Sequence, residues 1–377
     1  MAAIIRVMQS YGRPGGQRLH LLVRARSGGR GQGMQRSKPT MKDVCSLAGV
    51  SAMTVSRVLT KPEKVSPHTR EKVLRAIEQL GYVPDDNAGS LSSKRSKFVA
   101  LILPTLTNSN FADTAQGLAE VLEPHGYRPL IGYSSYSMER EEVLIRAMLA
   151  RRPDAIVLVG GIHSKAATVM LHQSGIPVVE IWDMPRDPID VAIGYSNAEA
   201  GRLAGQYLIS LGHTKIAALG PREDGPNRDF RGEQRLAGFT AALREARLST
   251  ELITRNSTPP ISFTEGANDM RDLLARAPDV EAVFVVSDLP AVGALMECAR
   301  QGRRVPDEIS IIGFGNFEVG TQSYPSLTTV SVDAQQIGRR TGEYLLGLFE
   351  LGPTEGGRTI DLGFELQVRE STAPARR

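Results

Sequence analysis

The stretch Thr40-Met-Lys-Asp-Val-Cys-Ser-Leu-Ala-Gly-Val-Ser-Ala-Met-Thr-Val-Ser-Arg-Val-Leu59 has the pattern of two short helices around a tight turn. Thr40 and Asp43 stand three apart as a capping-box start, and Val44, Leu47 and Ala48 form the inward face of a first helix. Gly49 permits the turn. Ser51 is placed to cap a second helix in which Val55, Val58 and Leu59 face inward. Ala52, Met53, Thr54, Ser56 and Arg57 are left on its outer or N-terminal side, the side a DNA major groove would meet. Ser66-Pro67 then supplies a cap and a first-turn proline for a third helix, carried by Val73, Ile77 and Leu80 and stopping at Gly81. A helical hairpin without a DNA role is the alternative, but the polar outer face would then have no core to serve.

Outward from this head the charge is uneven. Residues 1–39 carry eight Arg or Lys and no acid, residues 40–97 carry ten basic and six acidic side chains, and residues 98–377 are net −8, for a total of +4. A basic head on an acidic body suits phosphate binding by the head alone. The 377 residues allow two or three domains, and 41% hydrophobic with 23% charged residues is ordinary for a globular chain. Cys45 and Cys298 are too few for a disulfide framework or a zinc site, which fits a reducing cytoplasm. No stretch near the start has the apolar length of a secretory signal or a membrane anchor, because Arg6 interrupts the first candidate. Residues 1–39 read either as a disordered basic arm that adds non-specific DNA affinity or as a mis-called start, with Met34 or Met41 nearer the true one.

The head residues Asp43-Val44, Ala48-Gly49-Val50-Ser51, Thr54-Val55-Ser56-Arg57, Val65-Ser66, Thr69-Arg70 and Leu80-Gly81-Tyr82-Val83-Pro84 resemble, position after position, the head of the LacI family of bacterial transcription repressors. That resemblance implies an all-α helix-turn-helix domain over 40–84, a hinge over 85–97 and an α/β body over 98–377. The body would be built of two doubly wound parallel-sheet lobes of periplasmic-binding-protein type. It also implies DNA contacts from Thr40, Ser51, Ala52, Met53, Thr54, Ser56, Arg57 and Thr69. Leu91, an isolated large apolar residue in a polar stretch, corresponds to a hinge leucine that wedges into the minor groove. The other role open to Leu91 is packing against the body. Asp85-Asp86 departs from the family pattern and sets two carboxylates near phosphates.

From Phe98 onward, short β-branched runs alternate with helical stretches. Strands are expected at 98–104, 128–133, 155–159, 177–182, 216–219, 282–286 and 309–314, and a last one near 364–368. Helices are expected at 111–125, 139–150, 167–174, 199–211, 233–246 and 291–301. Ligands of such sheets bind at the carboxyl ends of the strands, here a cleft between two lobes. Polar groups cluster there: Thr105, Asn108 and Asn110 with Phe111, then Trp182-Asp183, Asn197, Asp288 and Asn316. The family resemblance places Arg235 where an arginine binds sugar hydroxyls or carboxylates and Asp288 at a pocket acid. Asp288 also suits a helix N-cap. Trp182, the only tryptophan, either offers a flat face to a polyol chain or fills the cleft wall.

The segments 103–111, 175–183 and 361–364, with Met53-Thr54, resemble the gluconate-operon repressor branch of that family. The implied effector is gluconate or a related sugar acid, with no cofactor and no metal. Asn316, where many members carry an Asp, would remove repulsion toward an anion. A homodimer on palindromic operator DNA is expected, without a tetramer-forming heptad tail and without membrane contact. Three readings rival this one: the same regulator with another sugar, a phosphorylated sugar or a purine corepressor; a sugar-binding protein without regulatory role; and an enzyme. The last has no G-x-S-x-G elbow, P-loop or complete dinucleotide fingerprint to stand on.

Overall fold

The computed structural model describes residues 38–83, 95–352 and 359–376. The chain divides into two compact units between Asp85 and Asp86. The expectations for residues 1–37 and for Leu91 lie outside the described residues.

The first unit holds helices Met41–Ala48, Ala52–Thr60 and Pro67–Leu80. The capping box is complete: the Asp43 amide donates to Thr40 Oγ1, and the Thr40 amide donates to the Asp43 carboxylate at 2.8 Å. Gly49 and Gly81 end the first and third helices in the left-handed region, at φ 66° and 61°. Val44, Val55, Val58, Val73, Ala76 and Tyr82 form the core. Leu47 corrects the expected inward face, being 46% exposed. The stripe that packs is Met41, Val44, Cys45 and Ala48, an i, i+3, i+4, i+7 set, and it leaves Leu47 on the flank.

The second unit contains two six-stranded sheets. The strands of the first are β1 Phe98–Leu103, β2 Arg128–Tyr133, β3 Ala155–Val159, β4 Val178–Ile181, β5 Val191–Gly194 and β11 Thr359–Asp361. The second sheet has β6 Ile216–Pro221, β7 Ile253–Ser257, β8 Ala282–Val285, β9 Ser310–Phe314, β10 Thr328–Ser331 and β12 Glu365–Gln367. The orders are β11-β5-β4-β3-β1-β2 and β12-β10-β9-β8-β6-β7, parallel throughout except for β12 against β10. The chain passes between the lobes after β5, after β10 and after β11. One continuous apolar core, which includes Phe111, Trp182, Tyr195, Phe239 and Phe314, runs through both lobes.

Three helix pairs in this unit touch backbone to backbone through reciprocal glycines. A Cβ on Gly201 (helix Asn197–Ser210) would lie 1.8 Å from the Arg235 carbonyl oxygen, and one on Gly238 (helix Phe230–Glu245) 1.8 Å from that of Ala198. Gly117 and Gly338 do the same for helices Ser109–Leu122 and Ala334–Leu351, against Gln335 and Thr114. Gly266 and Gly293 join helices Phe263–Arg276 and Asp288–Arg300 through Pro290 and Phe263. Any side chain at these points must push the axes apart. Gly238→Ala is expected to cost about 2–3 kcal/mol of stability, read as a lowered chemical-denaturation midpoint, whereas Gly347→Ala, inside helix Ala334–Leu351 where an added Cβ meets nothing within 4 Å, raises the midpoint by the equivalent of about 0.5–1 kcal/mol.

Candidate effector cleft and DNA-reading helix

In the head, Ala52, Ser51, Met53, Ser56 and Arg57 are exposed and Thr54 is half-buried, with Met53 63% exposed. An apolar side chain that protrudes this far, next to a free-standing arginine on the same short helix, fits a thymine methyl and a guanine edge. The hydroxyls of Thr40, Ser51 and Thr69 take part in local capping: Ser51 Oγ accepts from the Thr54 amide at 3.2 Å, and Thr69 meets Ser66 at 2.9 Å.

In the second unit the carboxyl ends of the two sheets face one interlobe cavity. It is lined by Thr105, Thr107, Asn108, Asn110, Phe111, Tyr136 and Trp182 on the first lobe, and by Asp229, Arg231, Arg235, Pro260, Ile261, Ser287, Leu289, Phe314 and Phe317 on the second. A contiguous compartment adds Asp183, Glu141 and Gly160–Ile162. Asn108, Asp229 and Ser287 are the N-caps of helices Ser109–Leu122, Phe230–Glu245 and Asp288–Arg300, so three positive helix ends converge on the cavity.

Arg235 is fixed on all sides. Its Nε donates to Val286 O at 3.0 Å and its Nη1 to Asn197 Oδ1 at 2.6 Å. Its Nη2 stands 3.8 Å from Asp229 Oδ2, and the guanidinium lies 4.1 Å above the Phe314 ring. Burial lowers its pKa from the ordinary arginine value. Asn197 stands behind the cavity and ties the lobes, donating to Trp182 O at 2.9 Å and to Asp183 Oδ1 at 3.3 Å. Asp183 also accepts from Gln234 Nε2 of the second lobe at 3.2 Å. Trp182 holds a positive φ of 67°, stacks edge-on to Phe111 and donates from Nε1 to Thr114 Oγ1 at 3.1 Å, so its ring is pinned in the wall.

Of the residues singled out in the sequence, Thr105, Asn108, Asn110, Phe111, Trp182 and Arg235 line the cavity, Asp183 borders its second compartment and Asn197 supports it. Asp288 is not a lining residue. Fully buried, it accepts from Thr329 Oγ1 at 2.7 Å and from the Phe317 amide at 2.8 Å, and burial pushes its carboxyl up to about 6. The N-cap is Ser287, one residue earlier, because Asp288 already has helical geometry. Asn316 lies away from this cavity, in a trough beside Ser331–Gln335 and Leu362–Glu365, where its Oδ1 accepts from Arg369 at 2.5 Å. The argument from charge removal at Asn316 therefore does not apply to the cavity. Sequence reading missed Tyr136, Asp229 and Arg231. The last was legible, since Arg231 lies i−4 from Arg235 and four residues put both on one helix face.

The cavity lips meet. The Arg228 amide donates to Tyr136 O at 3.0 Å, and Ser137 bridges Asn227 in antiparallel fashion across the lobes. Beneath the first-lobe lip, His163 is buried between Glu141 Oε1 at 2.7 Å and Glu180 Oε1 at 3.4 Å. Burial opposes its charge, but the two glutamates prevail and hold its pKa near 9. This is a cation favoured by folding, so its stabilisation is complete below the free histidine value of 6.5 and fades as pH rises through about 9. The melting temperature should accordingly decline between pH 6.5 and 9.5 in the native chain, with a visibly smaller decline in His163→Gln, measured by thermal unfolding in matched buffers.

A helix-turn-helix head together with a two-lobed body that has a polar cavity between its lobes is the architecture of a DNA-binding regulator. The profile for bacterial regulatory proteins of the lacI family matches residues 40–85, and that for a periplasmic binding protein-like domain matches residues 206–372. The HTH-type transcriptional regulator GntR of Escherichia coli K12 is 33% identical over 333 residues, 88% of this chain and 98% of its own. GntR of Pseudomonas aeruginosa is 35% identical over 335 residues, 89% and 96% of the two chains. The crystal structure of a LacI-family regulator from Silicibacter pomeroyi superposes with a TM-score of 0.82 at 33% identity, covering 89% of this chain and 99% of that one. The chain belongs to the LacI family of transcriptional regulators and is a DNA-binding repressor of that type. Among the described residues, no helix is long and apolar enough to cross a membrane.

Proposed function

We propose that this repressor controls sugar-acid utilisation and is released from its operator when gluconate, or a close relative of it, fills the interlobe cavity. The observation that carries the ligand class is the meeting of Arg231, Arg235 and three helix N-termini in one closed, hydroxyl-rich space. Arg231 and Arg235 are matched in number by Asp229 and Asp183, and helix ends contribute about half a positive charge each. The balance suits one carboxylate; a phosphorylated acid would bring more negative charge than this set can neutralise. Thr105, Thr107, Asn108, Asn110, Tyr136 and Ser287 offer partners for the hydroxyls. The likeness of residues 103–111 and 175–183 to gluconate-operon repressors supports the same choice.

Two copies reading a palindromic operator would each lay helix Ala52–Thr60 in a major groove, with Met53 on thymine methyls and Arg57 on guanine. Thr40, Ser51, Thr54, Ser56 and Thr69 stand ready for phosphates or sugar edges, and Leu91 is assigned to the minor groove. Effector binding shifts the lobe equilibrium and, through the hinge, the head spacing.

The lips meet through Arg228–Tyr136 and Ser137–Asn227, so parting of the lobes is the route by which a six-carbon acid would enter. Binding of operator DNA, followed by fluorescence anisotropy at fixed salt, is expected to weaken at least tenfold with saturating gluconate; unchanged binding refutes the assignment. Arg57→Ala is expected to cost about 1–3 kcal/mol of specific affinity, a rise in Kd of about 5-fold to 150-fold, with non-specific binding little altered.

A further inference from the structure

We infer that Arg231, and not Arg235, is the residue that grips the ligand's carboxylate and makes this repressor distinguish a sugar acid from the corresponding neutral polyol. The inference rests on the sugar-acid reading above and sharpens it to one side chain.

The two guanidiniums sit one helical turn apart on helix Phe230–Glu245 and both are buried, yet their surroundings differ. Arg235 spends Nε and Nη1 on Val286 O and Asn197 Oδ1, and its plane is held against Phe314. Two of its five donors are spent in this way, and they fix its plane against Asn197, the residue that ties the lobes. Arg231 is less committed. Its Nη2 is 3.8 Å from Asp229 Oδ1, beyond hydrogen-bond reach, and its side-chain hydrogen bond goes to the Tyr136 hydroxyl at the cavity lip, with no carbonyl or amide oxygen holding it as Val286 and Asn197 hold Arg235. Asp229 Oδ1 is itself engaged in capping, accepting from the Gly232 amide at 3.2 Å.

A buried guanidinium with open donors is costly unless something completes it. Burial works against the charge of Arg231, and the Asp229 and Asp183 carboxylates offset it and hold its pKa above the ordinary value, so a full cation faces the cavity. Arg231 also borders both compartments of the cavity, whereas Arg235 borders one. A bidentate carboxylate matches the fork it presents.

The position has a second consequence. Arg231 belongs to the second lobe, but its guanidinium lies 5.0 Å from the ring centre of Phe111 on the first and next to Tyr136 at the lip. A carboxylate bound there is held at the lobe seam, so the same contact that recognises charge draws the lobes together.

The test uses the full chain and its single tryptophan, Trp182, which lines the cavity and reports occupancy by fluorescence. Gluconate and glucitol, equal in carbon number and differing in the terminal carboxylate, are titrated into the native protein, Arg231→Gln, Arg231→Lys and Arg235→Lys, with thermal melts confirming that each is folded. The native protein is expected to prefer gluconate by at least a hundredfold. Arg231→Gln should bring that preference to within about threefold, with glucitol affinity little changed, and Arg231→Lys should restore part of it. Arg235→Lys should weaken both ligands together and keep the preference. A preference that survives Arg231→Gln, or one that vanishes only in Arg235→Lys, overturns the inference and leaves the sugar-acid reading standing. A native protein that does not favour gluconate over glucitol overturns both.

Discussion

The body depends on one close approach, that of helices Asn197–Ser210 and Phe230–Glu245 through Gly201 and Gly238. With no Cβ at either crossing point, the backbones meet, and the carbonyl of Arg235 itself forms one side of the contact. The arginine that braces the cleft is thus placed by main chain against main chain, where there is no rotamer to relax. From that fixed point Arg235 holds Asn197, Asn197 holds Trp182 and Asp183, and Trp182 in turn reaches Thr114 on the helix that crosses Ala334–Leu351 through Gly117 and Gly338. Two of the three glycine crossings are linked through the side chains of the cleft wall. A ligand in the cavity acts on a frame whose members are rigid and whose joints are few.

The polar network has an energetic logic of its own. Asp183, Asn197, Arg235 and Asp229 are all buried, and each would be expensive alone. Together they leave few donors or acceptors unanswered, with the exception of the open side of Arg231. Tyr195, packed among Trp182, Phe314 and Phe364, keeps a buried hydroxyl without a protein partner, and burial raises its pKa above the usual phenol value. Completeness in most of the cluster and incompleteness at the cavity is the pattern of a site arranged for something still to arrive.

Much of this was legible in the chain. The head could be read almost to the residue because caps, turn glycines and apolar spacing are local signals, and only Leu47 was misplaced, by counting i+3 from Val44 in place of the Met41–Val44–Cys45–Ala48 stripe. The alternation of the body gave the parallel lobes. What escaped was β7, whose Thr-Arg-Asn-Ser sequence suits a sheet edge and carries no apolar run, the short strands β5, β10 and β11, and the helices Phe263–Arg276 and Ala334–Leu351, whose glycines disguise helices that pack at the backbone. In the cleft, residues at strand ends could be named, but which of them face the cavity depends on tertiary pairing. Asp288 turned inward to satisfy Thr329 and Phe317, Asn316 turned to Arg369, and no local spacing encodes either choice.

The meeting of the lips, where Arg228 donates to Tyr136 and Ser137 bridges Asn227, bears on time as well as on affinity. For a molecule held behind these contacts, affinity gained by closing them would appear as slower departure. Whatever small molecule occupies the cleft, a response governed by its occupancy would average over brief fluctuations in supply, a form of short-term memory written into two main-chain contacts.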